Sequence, residues 1–197
     1  MANLAAHLAR HSRVVAPDMR GRGETASGDG AVDPGTLAGD MAALIQAVNL
    51  EGAVVIGRMH GGVVGYHLAA RHPSLIAGLV IGDTPPEIDE AHAERSLRLI
   101  RDLPASFANV EEALVYYQDV LQLSEGRARL DIPLDLIEDE QGSLTWRHNL
   151  ETIERIEAAA SPRSDWSVLR RIPCPTLMIR GQRGAVPHAM AERICQE

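Results

Sequence analysis

A strand, a sharp turn and a helix follow one another in residues 53–73, which read AVVIGRMHGGVVGYHLAARHP. The run AVVIG is continuously apolar, a pattern typical of a strand that is buried on both faces of a sheet. A group of glycines follows, and the helical pattern after it ends near Arg71, before Pro73. Such a turn presents one side chain at its tip, and in this chain the tip residue is Met59.

Apolar runs alternate with helical patterns on both sides of this segment. Further strands are predicted at 13–17, 75–83 and 175–181. An amphipathic helix is predicted at 36–50, with Asp33 or Thr36 as its N-cap. This alternation predicts an α/β fold with a mostly parallel sheet, in which a ligand site lies beyond the carboxyl ends of the strands. Three features fall at such ends: a glycine-rich loop at 18–30, the turn at 57–62, and Asp83.

Residues 87–161 have a different character, and no strand is predicted there. The region contains amphipathic helical patterns at 91–103, 109–123 and 150–160. Breaks are expected at Pro104, Gly126, Pro133 and Gly142. We therefore expect a helical cap at 87–161, inserted into a core that comprises residues 1–86 and 162–197.

Composition argues against several classes of function. The chain of 197 residues is 45% hydrophobic and carries a formal net charge of -8, which disfavours nucleic-acid binding because that requires a basic face. No apolar run approaches the roughly 20 residues that span a bilayer, and no signal-peptide pattern opens the chain. The sequence predicts a cytoplasmic protein with a small-molecule substrate or ligand and no nucleic-acid or membrane partner.

Neither a metal nor a cofactor is expected. Cys174 and Cys195 have no metal-ligand spacing and are predicted to be free thiols. No pair of histidines combines the i, i+4 spacing with the acidic residue of a helical metal site. The glycine-rich loop at 18–30 does not match a nucleotide-binding motif.

Four segments together resemble the α/β-hydrolase family: DMRGRG at 18–23, GRMHGG at 57–62, LVIGDTPP at 79–86 and PTLMIRGQRGAVP at 175–187. They are similar, in order, to the family's D-x-R-G-x-G loop, its G-x-S-x-G-G nucleophile elbow, the strand and turn before its cap, and the strand that delivers its catalytic acid. The resemblance covers nearly the whole chain. It implies an incomplete α/β-hydrolase fold with a mostly parallel sheet and a helical cap insertion.

The resemblance also implies that the catalytic machinery is not intact. Met59 stands where the family has its nucleophilic Ser, and a thioether cannot form an acyl-enzyme. Gly57 and Gly61 keep the elbow spacing and are expected to remove Cβ atoms that would clash, while Gly62 is expected to allow close packing of helix on sheet. A register shifted by one residue would place His60 at the tip, but Gly57 would then lose its spacing.

The remaining members of a catalytic triad are also not found at their family positions. Ala185 matches the position of the family's acid, and Asp83 is a substitute acid known in the family or, equally, a turn residue that bonds its own backbone. The strand that supplies an oxyanion amide and the segment with the catalytic His are expected to be absent. This combination predicts a pseudoenzyme or a fragment, with an exposed apolar sheet edge that favours self-association.

Three functional hypotheses follow from these residues. The first is a catalytically impaired relative of hydrolases that act on small esters, lactones or C–C bonds. The second is a non-catalytic binding or interaction protein that uses the cap pocket, with Met59 as an apolar floor. His60, Tyr116 and Trp146 are further candidate contacts for the ligand. Packing within the core is the competing role for both aromatic residues. The third is an acid–base step by His60 with Asp83, which requires the two side chains to lie within hydrogen-bond reach.

Overall fold

The computed structural model describes residues 2–182 and 184–197. These residues form two compact units, each of which contains two segments of the chain. The first unit contains Met1–Asp29 and Asp102–Ile153, and the second unit contains Gly30–Arg101 and Glu154–Glu197. The assignment of 87–161 to a separate cap stays a prediction.

A parallel three-stranded sheet lies at the centre of the second unit. Its strands are β1 (Ala53–Arg58), β2 (Ile76–Gly82) and β8 (Thr176–Ile179), in the order β1-β2-β8. The register aligns Ile56 with Val80 and Val80 with Leu177. The predicted α/β class with a parallel sheet is confirmed. A short antiparallel pair joins β3 (Glu87–Ile88) to β7 (Arg163–Ser164).

The helices of this unit are α2 (Pro34–Ala47), α3 (His60–Arg71), α4 (Glu90–Arg101), α8 (Trp166–Leu169) and α9 (His188–Ile194). Asp33 caps α2 by accepting hydrogen bonds from the amides of Gly35 and Thr36. Asp33 is one of the two N-caps predicted from sequence. The helix α3 packs against β1 and β2, so that a Cβ at Gly65 would contact Leu79 and Val55. Leu79 and Ile81 on this face are fully buried.

The opposite face of the same sheet is largely uncovered. Val54, Leu177 and Ile179 are each more than half exposed, and we call these three residues the open face. The prediction that the AVVIG strand is buried on both faces is therefore wrong. Side chains alternate between the two sides of a strand, and α3 covers only the side that carries Val55.

The first unit contains a small antiparallel sheet that the sequence did not predict. Its strands are β4 (Ser106–Phe107), β5 (Leu136–Glu138) and β6 (Leu144–Trp146), in the order β4-β6-β5. The turn between β5 and β6 depends on Asp139, whose carboxylate accepts the amides of Gln141 and Ser143, and on Gly142 at a φ of 82°. The strands are only two or three residues long, so apolar periodicity cannot reveal them.

The helices of the first unit are α1 (Ala2–Leu8), α5 (Val110–Asp119) and α6 (Glu125–Asp135), and α7 (Leu150–Ala160) spans the boundary between the units. The breaks expected at Gly126 and Pro133 do not occur, because these residues lie in the first and last turns of α6. Ion pairs one turn apart, Arg127 with Asp131 and Arg129 with Glu125, support this helix.

The strand predicted at 13–17 is also wrong. This segment forms no strand, and the described sheets contain no partner for it. A strand needs a neighbour to accept and donate its backbone hydrogen bonds.

Among the helices in the described ranges, none is long and apolar enough to cross a membrane.

Candidate active site at the elbow

Met59 lies at the tip of a sharp turn between β1 and α3, with φ 52° and ψ -125°. This conformation is strained for a residue with a side chain. The carbonyl oxygen of Met59 accepts the amides of Gly62 and Val63 and the hydroxyl of Thr84. The methionine side chain is 47% exposed. The structure therefore places Met59, and not His60, at the tip.

Two of the three glycines permit the turn for steric reasons. A Cβ at Gly57 would lie 2.1 Å from the carbonyl oxygen of Gly61, a backbone atom that cannot move aside alone. A Cβ at Gly62 would lie 2.1 Å from the hydroxyl of Thr84, so this glycine allows α3 to approach the end of β2. The clash expected at Gly61 is wrong, because a Cβ there would meet open space.

His60, the first residue of α3, pairs with Glu157 of α7. The Nε2 atom of His60 lies 2.8 Å from Oε2 of Glu157, and the two side chains are 25% and 7% exposed. Burial alone would raise the pKa of Glu157, but the hydrogen bond and charge of His60, helped by Arg163 and Ser161, outweigh burial and lower it. The carboxylate is therefore ionised at neutral pH.

Asp83 follows β2 with a φ of 48° and reaches across to the turn after β8. Its carboxylate accepts the amides of Ala185 at 3.1 Å and Val186 at 3.3 Å. A Cβ at Gly184 would overlap this carboxylate. Asp83 thus lies beside Ala185, the residue matched to the family's acid. No hydrogen bond joins it to His60 among the described contacts, in which His60 pairs with Glu157.

A second carboxylate, the half-buried Asp165, lies at the start of α8. It accepts a hydrogen bond from the hydroxyl of Tyr66 at 3.1 Å, and it lies 3.2 Å from Nε2 of His67 and 3.1 Å from Nε of Arg163. Burial would raise the pKa of Asp165, but the hydrogen bonds and charges of these partners lower it. The network connects α3, β7 and α8 through polar groups that would be costly to bury alone.

Tyr116 and Trp146 belong to the first unit, where they pack around its aromatic core. The Tyr116 ring lies 5.4 Å from that of Phe107, and the Trp146 ring stacks on Tyr117 at 6.4 Å. The indole nitrogen of Trp146 donates to the carbonyl oxygen of Pro104. These contacts account for both residues by packing, and their contact with a ligand stays a prediction.

The DMRGRG loop of the first unit contains two residues with positive φ, Gly21 and Gly23. A Cβ at Gly23 would overlap the carboxylate of Asp18. The amide of Gly23 donates to Nδ1 of His148 at 3.4 Å. Both glycines are therefore required by the path of the loop.

Sequence reasoning missed Glu157 and Asp165. A signal for Glu157 was present, because it shares the apolar face of α7 with Ile153, Ile156 and Ala160, which are all buried. A carboxylate on the buried face of an amphipathic helix needs a partner from another element. Within the described ranges no cluster of three or more His, Cys, Asp or Glu residues is placed to hold a metal ion.

The two flanking glycines of the elbow form a matched pair for a stability test. Gly57→Ala should lower the free energy of unfolding by about 3 kcal/mol, because its methyl group meets backbone. Gly61→Ala should leave it unchanged or raise it by up to about 1 kcal/mol, since alanine favours the helix. Urea denaturation of both variants checks this, and equal losses would contradict the steric role assigned to Gly57.

The half-buried Asp165 should make stability depend on pH. Its pKa in the folded chain lies below 3.8, its ordinary value, so its stabilisation is fully present above that value and is lost as pH falls through the folded pKa. Asp165→Asn should lose about 3 kcal/mol at pH 7 and then show a shallower decline below pH 4 than the wild type. Glu94→Gln, at an exposed position, is the control for urea unfolding across this range. A parallel decline in both variants would refute the assignment.

Comparison with known proteins adds to this geometry. The sequence profile of the alpha/beta hydrolase fold family matches residues 1–196. A 3-hydroxybutyrate-oligomer hydrolase of Cupriavidus necator is 33% identical over 120 residues, which cover 59% of this chain and 40% of that protein. A 2-hydroxy-6-oxo-6-(2'-aminophenyl)hexa-2,4-dienoic acid hydrolase of Metapseudomonas resinovorans is 24% identical over 193 residues, which cover 91% of this chain and 60% of that protein.

Solved structures share the fold. An alpha/beta hydrolase from Novosphingobium aromaticivorans has a TM-score of 0.84 at 23% identity, covering 98% of this chain and 72% of that chain. A hydrolase from Pseudomonas aeruginosa has a TM-score of 0.73 at 22% identity, covering 99% of this chain and 71% of that chain. The chain thus spans 40% and 60% of the length of the two curated relatives above. With the elbow between β1 and α3 and the parallel sheet beneath it, the chain belongs to the alpha/beta hydrolase fold family.

Proposed function

We propose that this chain binds a small carbonyl compound, such as a short ester or lactone, at the elbow without forming an acyl-enzyme. One observation carries the proposal: Met59 occupies the strained tip of the turn, where its side chain is half exposed. A thioether has no proton to lose and is a poor nucleophile towards a carbonyl carbon, so serine-type covalent catalysis is impaired. The same side chain offers an apolar contact to a ligand.

The polar surroundings of the tip support a carbonyl ligand. The helix α3 begins directly after Met59, so the amides of its first two residues, His60 and Gly61, have no acceptor within the helix, whereas those of Gly62 and Val63 donate to the carbonyl oxygen of Met59. The amides of His60 and Gly61, with the positive end of the helix dipole, favour a carbonyl oxygen or a developing negative charge. The half-exposed Met59 and the polar start of α3 thus offer both kinds of contact that a small ester needs.

The names of the relatives are consistent with this class of ligand. One is a hydrolase of a 3-hydroxybutyrate oligomer and another is a hydrolase of a hydroxy-oxo-dienoic acid. Both names describe small organic molecules. The proposal extends the class of molecule to this chain, and it places the chain in the cytoplasm, which its free cysteines Cys174 and Cys195 support.

The absence of covalent catalysis can be tested with an activated ester. On mixing with p-nitrophenyl butyrate, the chain should show no burst of nitrophenol, and intact-mass spectrometry should detect no butyryl adduct, because Met59 cannot hold an acyl group. A serine-directed phosphonate should likewise leave the mass unchanged. A burst equal to the protein concentration, with an adduct on the chain, would overturn the proposal.

Binding can be tested separately with methyl butyrate as the probe. A ligand that binds only the folded chain raises its stability, so saturating methyl butyrate should raise Tm in a thermal-shift assay. Met59→Asp places a charge at the apolar contact and should abolish the shift. The matched control is Leu99→Asp, at an exposed leucine of α4, which should keep it. An unchanged Tm for the wild type, or an equal shift in both variants, would argue against binding at the elbow.

We also propose that the chain self-associates through the open face of its sheet. Val54 on β1 and Leu177 and Ile179 on β8 present exposed apolar side chains on one face of the sheet, and such a surface favours association. Sedimentation velocity of the wild type should show dimers or larger species. Leu177→Lys with Ile179→Lys should return the chain to a monomer, whereas Leu99→Lys should not. A wild type that stays monomeric at high concentration would disprove this.

A further inference from the structure

We propose that His60, held by Glu157, acts as a general base that directs a water molecule onto the carbonyl carbon of a ligand bound at the elbow. The inference rests on the binding proposed above and adds an activity to it. The observation that carries it is the short contact between Nε2 of His60 and Oε2 of Glu157 directly beside the tip residue. The sequence suggested a pair of His60 and Asp83; the structure instead pairs His60 with Glu157, within hydrogen-bond distance.

The contact with Glu157 sets the tautomer of the imidazole. A carboxylate only accepts hydrogen bonds, so Nε2 of His60 carries a proton, and in the neutral form of the ring the lone pair is therefore on Nδ1. Glu157 is almost fully buried while a quarter of the His60 side chain is exposed. Glu157 is thus sheltered from water, whereas part of the imidazole is in contact with water. This arrangement matches a base with an orienting carboxylate behind it.

Charges around the pair keep Glu157 ionised. Burial opposes the ionisation of Glu157, but beside His60 the charge of Arg163 and a hydrogen bond from Ser161 also lower its pKa. An ionised partner attracts the positive charge that the imidazole gains when it takes a proton.

A second His–Glu pair shows what an ordinary surface contact looks like in this chain. His188 and Glu192 lie one turn apart on α9 with a separation of 3.7 Å, and their side chains are 76% and 65% exposed. Such a pair is held weakly and is screened by solvent. It lies on a different helix from the elbow, so His188 serves as a matched control for the removal of an imidazole.

The proposed step balances as an ordinary hydrolysis. Nδ1 of His60 takes one proton from water while the water oxygen forms a bond to the carbonyl carbon, which gives a tetrahedral oxyanion. The bond from that carbon to the alcohol oxygen then breaks, and the proton on Nδ1 passes to the leaving alkoxide. The products are a carboxylic acid and an alcohol, and no covalent intermediate on the chain is formed. His60 is the catalytic residue and Glu157 is a positioning residue.

The test measures the steady hydrolysis of p-nitrophenyl butyrate by the wild type, His60→Gln, Glu157→Gln and His188→Gln. General-base catalysis contributes about 100-fold or more, so His60→Gln should lose most of the rate above the uncatalysed reaction. His188→Gln should keep the wild-type rate. A rate that falls equally in both histidine variants, or in neither, would overturn the inference.

The kinetic constants of Glu157→Gln distinguish a base from a merely structural histidine. In this variant the imidazole loses its orienting carboxylate, so kcat for p-nitrophenyl butyrate should fall while KM stays unchanged. A structural role for the pair would lower Tm and leave kcat where it was. This measurement needs only the wild type and Glu157→Gln, and it decides the matter even where His60→Gln fails to fold.

The same proteins separate this inference from the binding on which it rests. A methyl butyrate shift in Tm that His60→Gln retains, together with loss of turnover, supports both. If methyl butyrate raises Tm but no turnover depends on His60, the general-base role is overturned and the binding is left intact. Turnover that depends on His60 without any shift in Tm contradicts binding of the small ester and upholds the role of His60. If the wild type shows no shift in Tm and no turnover, both the binding and the general-base role are overturned.

Discussion

The close approach of two stretches of backbone at the elbow is the constraint on which the rest of the second unit depends. Gly57 has no room for a Cβ because the carbonyl group of Gly61 lies beside it. That approach lets the chain reverse from β1 into α3 within one residue, which forces Met59 into its strained conformation. The helix can then lie on the sheet with Gly62 against Thr84. The covered face of the sheet and the position of His60 both follow from this turn.

Two carboxylates with little exposure to solvent connect other elements to that helix. Glu157 joins α7 to the first residue of α3, and Asp165 joins α8 to Tyr66 and His67 further along the same helix. Each carboxylate has a cationic or hydrogen-bonding partner that offsets the cost of leaving water. The two contacts differ in exposure, since Asp165 and its partners are nearly buried whereas His60 remains open to solvent. This difference separates a structural network from a group that is able to exchange protons with a ligand.

The elbow was predictable from sequence because its signals are local. An apolar run, glycines at fixed spacing and a helical pattern lie within 53–73, and the structure places β1, Met59 and α3 there. The partners of the buried acids were not predictable in the same way. Asp165 meets Tyr66 across 99 positions of the chain, and no local pattern indicates which distant side chain fills such a role. Glu157 has a sequence signal, because it is a charged residue on the buried face of a helix, but this signal does not predict that its partner is His60.

The errors in the fold have a related cause. The AVVIG strand has the composition of a doubly covered strand, yet coverage depends on where the helices of the unit pack, and α3 lies on one side. The short strands of the first unit are stabilised by a turn around Asp139 and Gly142 rather than by apolar alternation. In both cases the outcome depended on contacts between elements, which residue patterns within one element do not encode.

The open face also affects how the stability of this chain varies with temperature. Apolar surface that is already hydrated in the folded chain adds little to the heat capacity change of unfolding, which comes from surface newly exposed to water. Val54, Leu177 and Ile179 are such surface. Compared with a sheet of the same size covered on both faces, the stability curve of this unit is flatter, and the hydrophobic contribution to its folding weakens less on cooling.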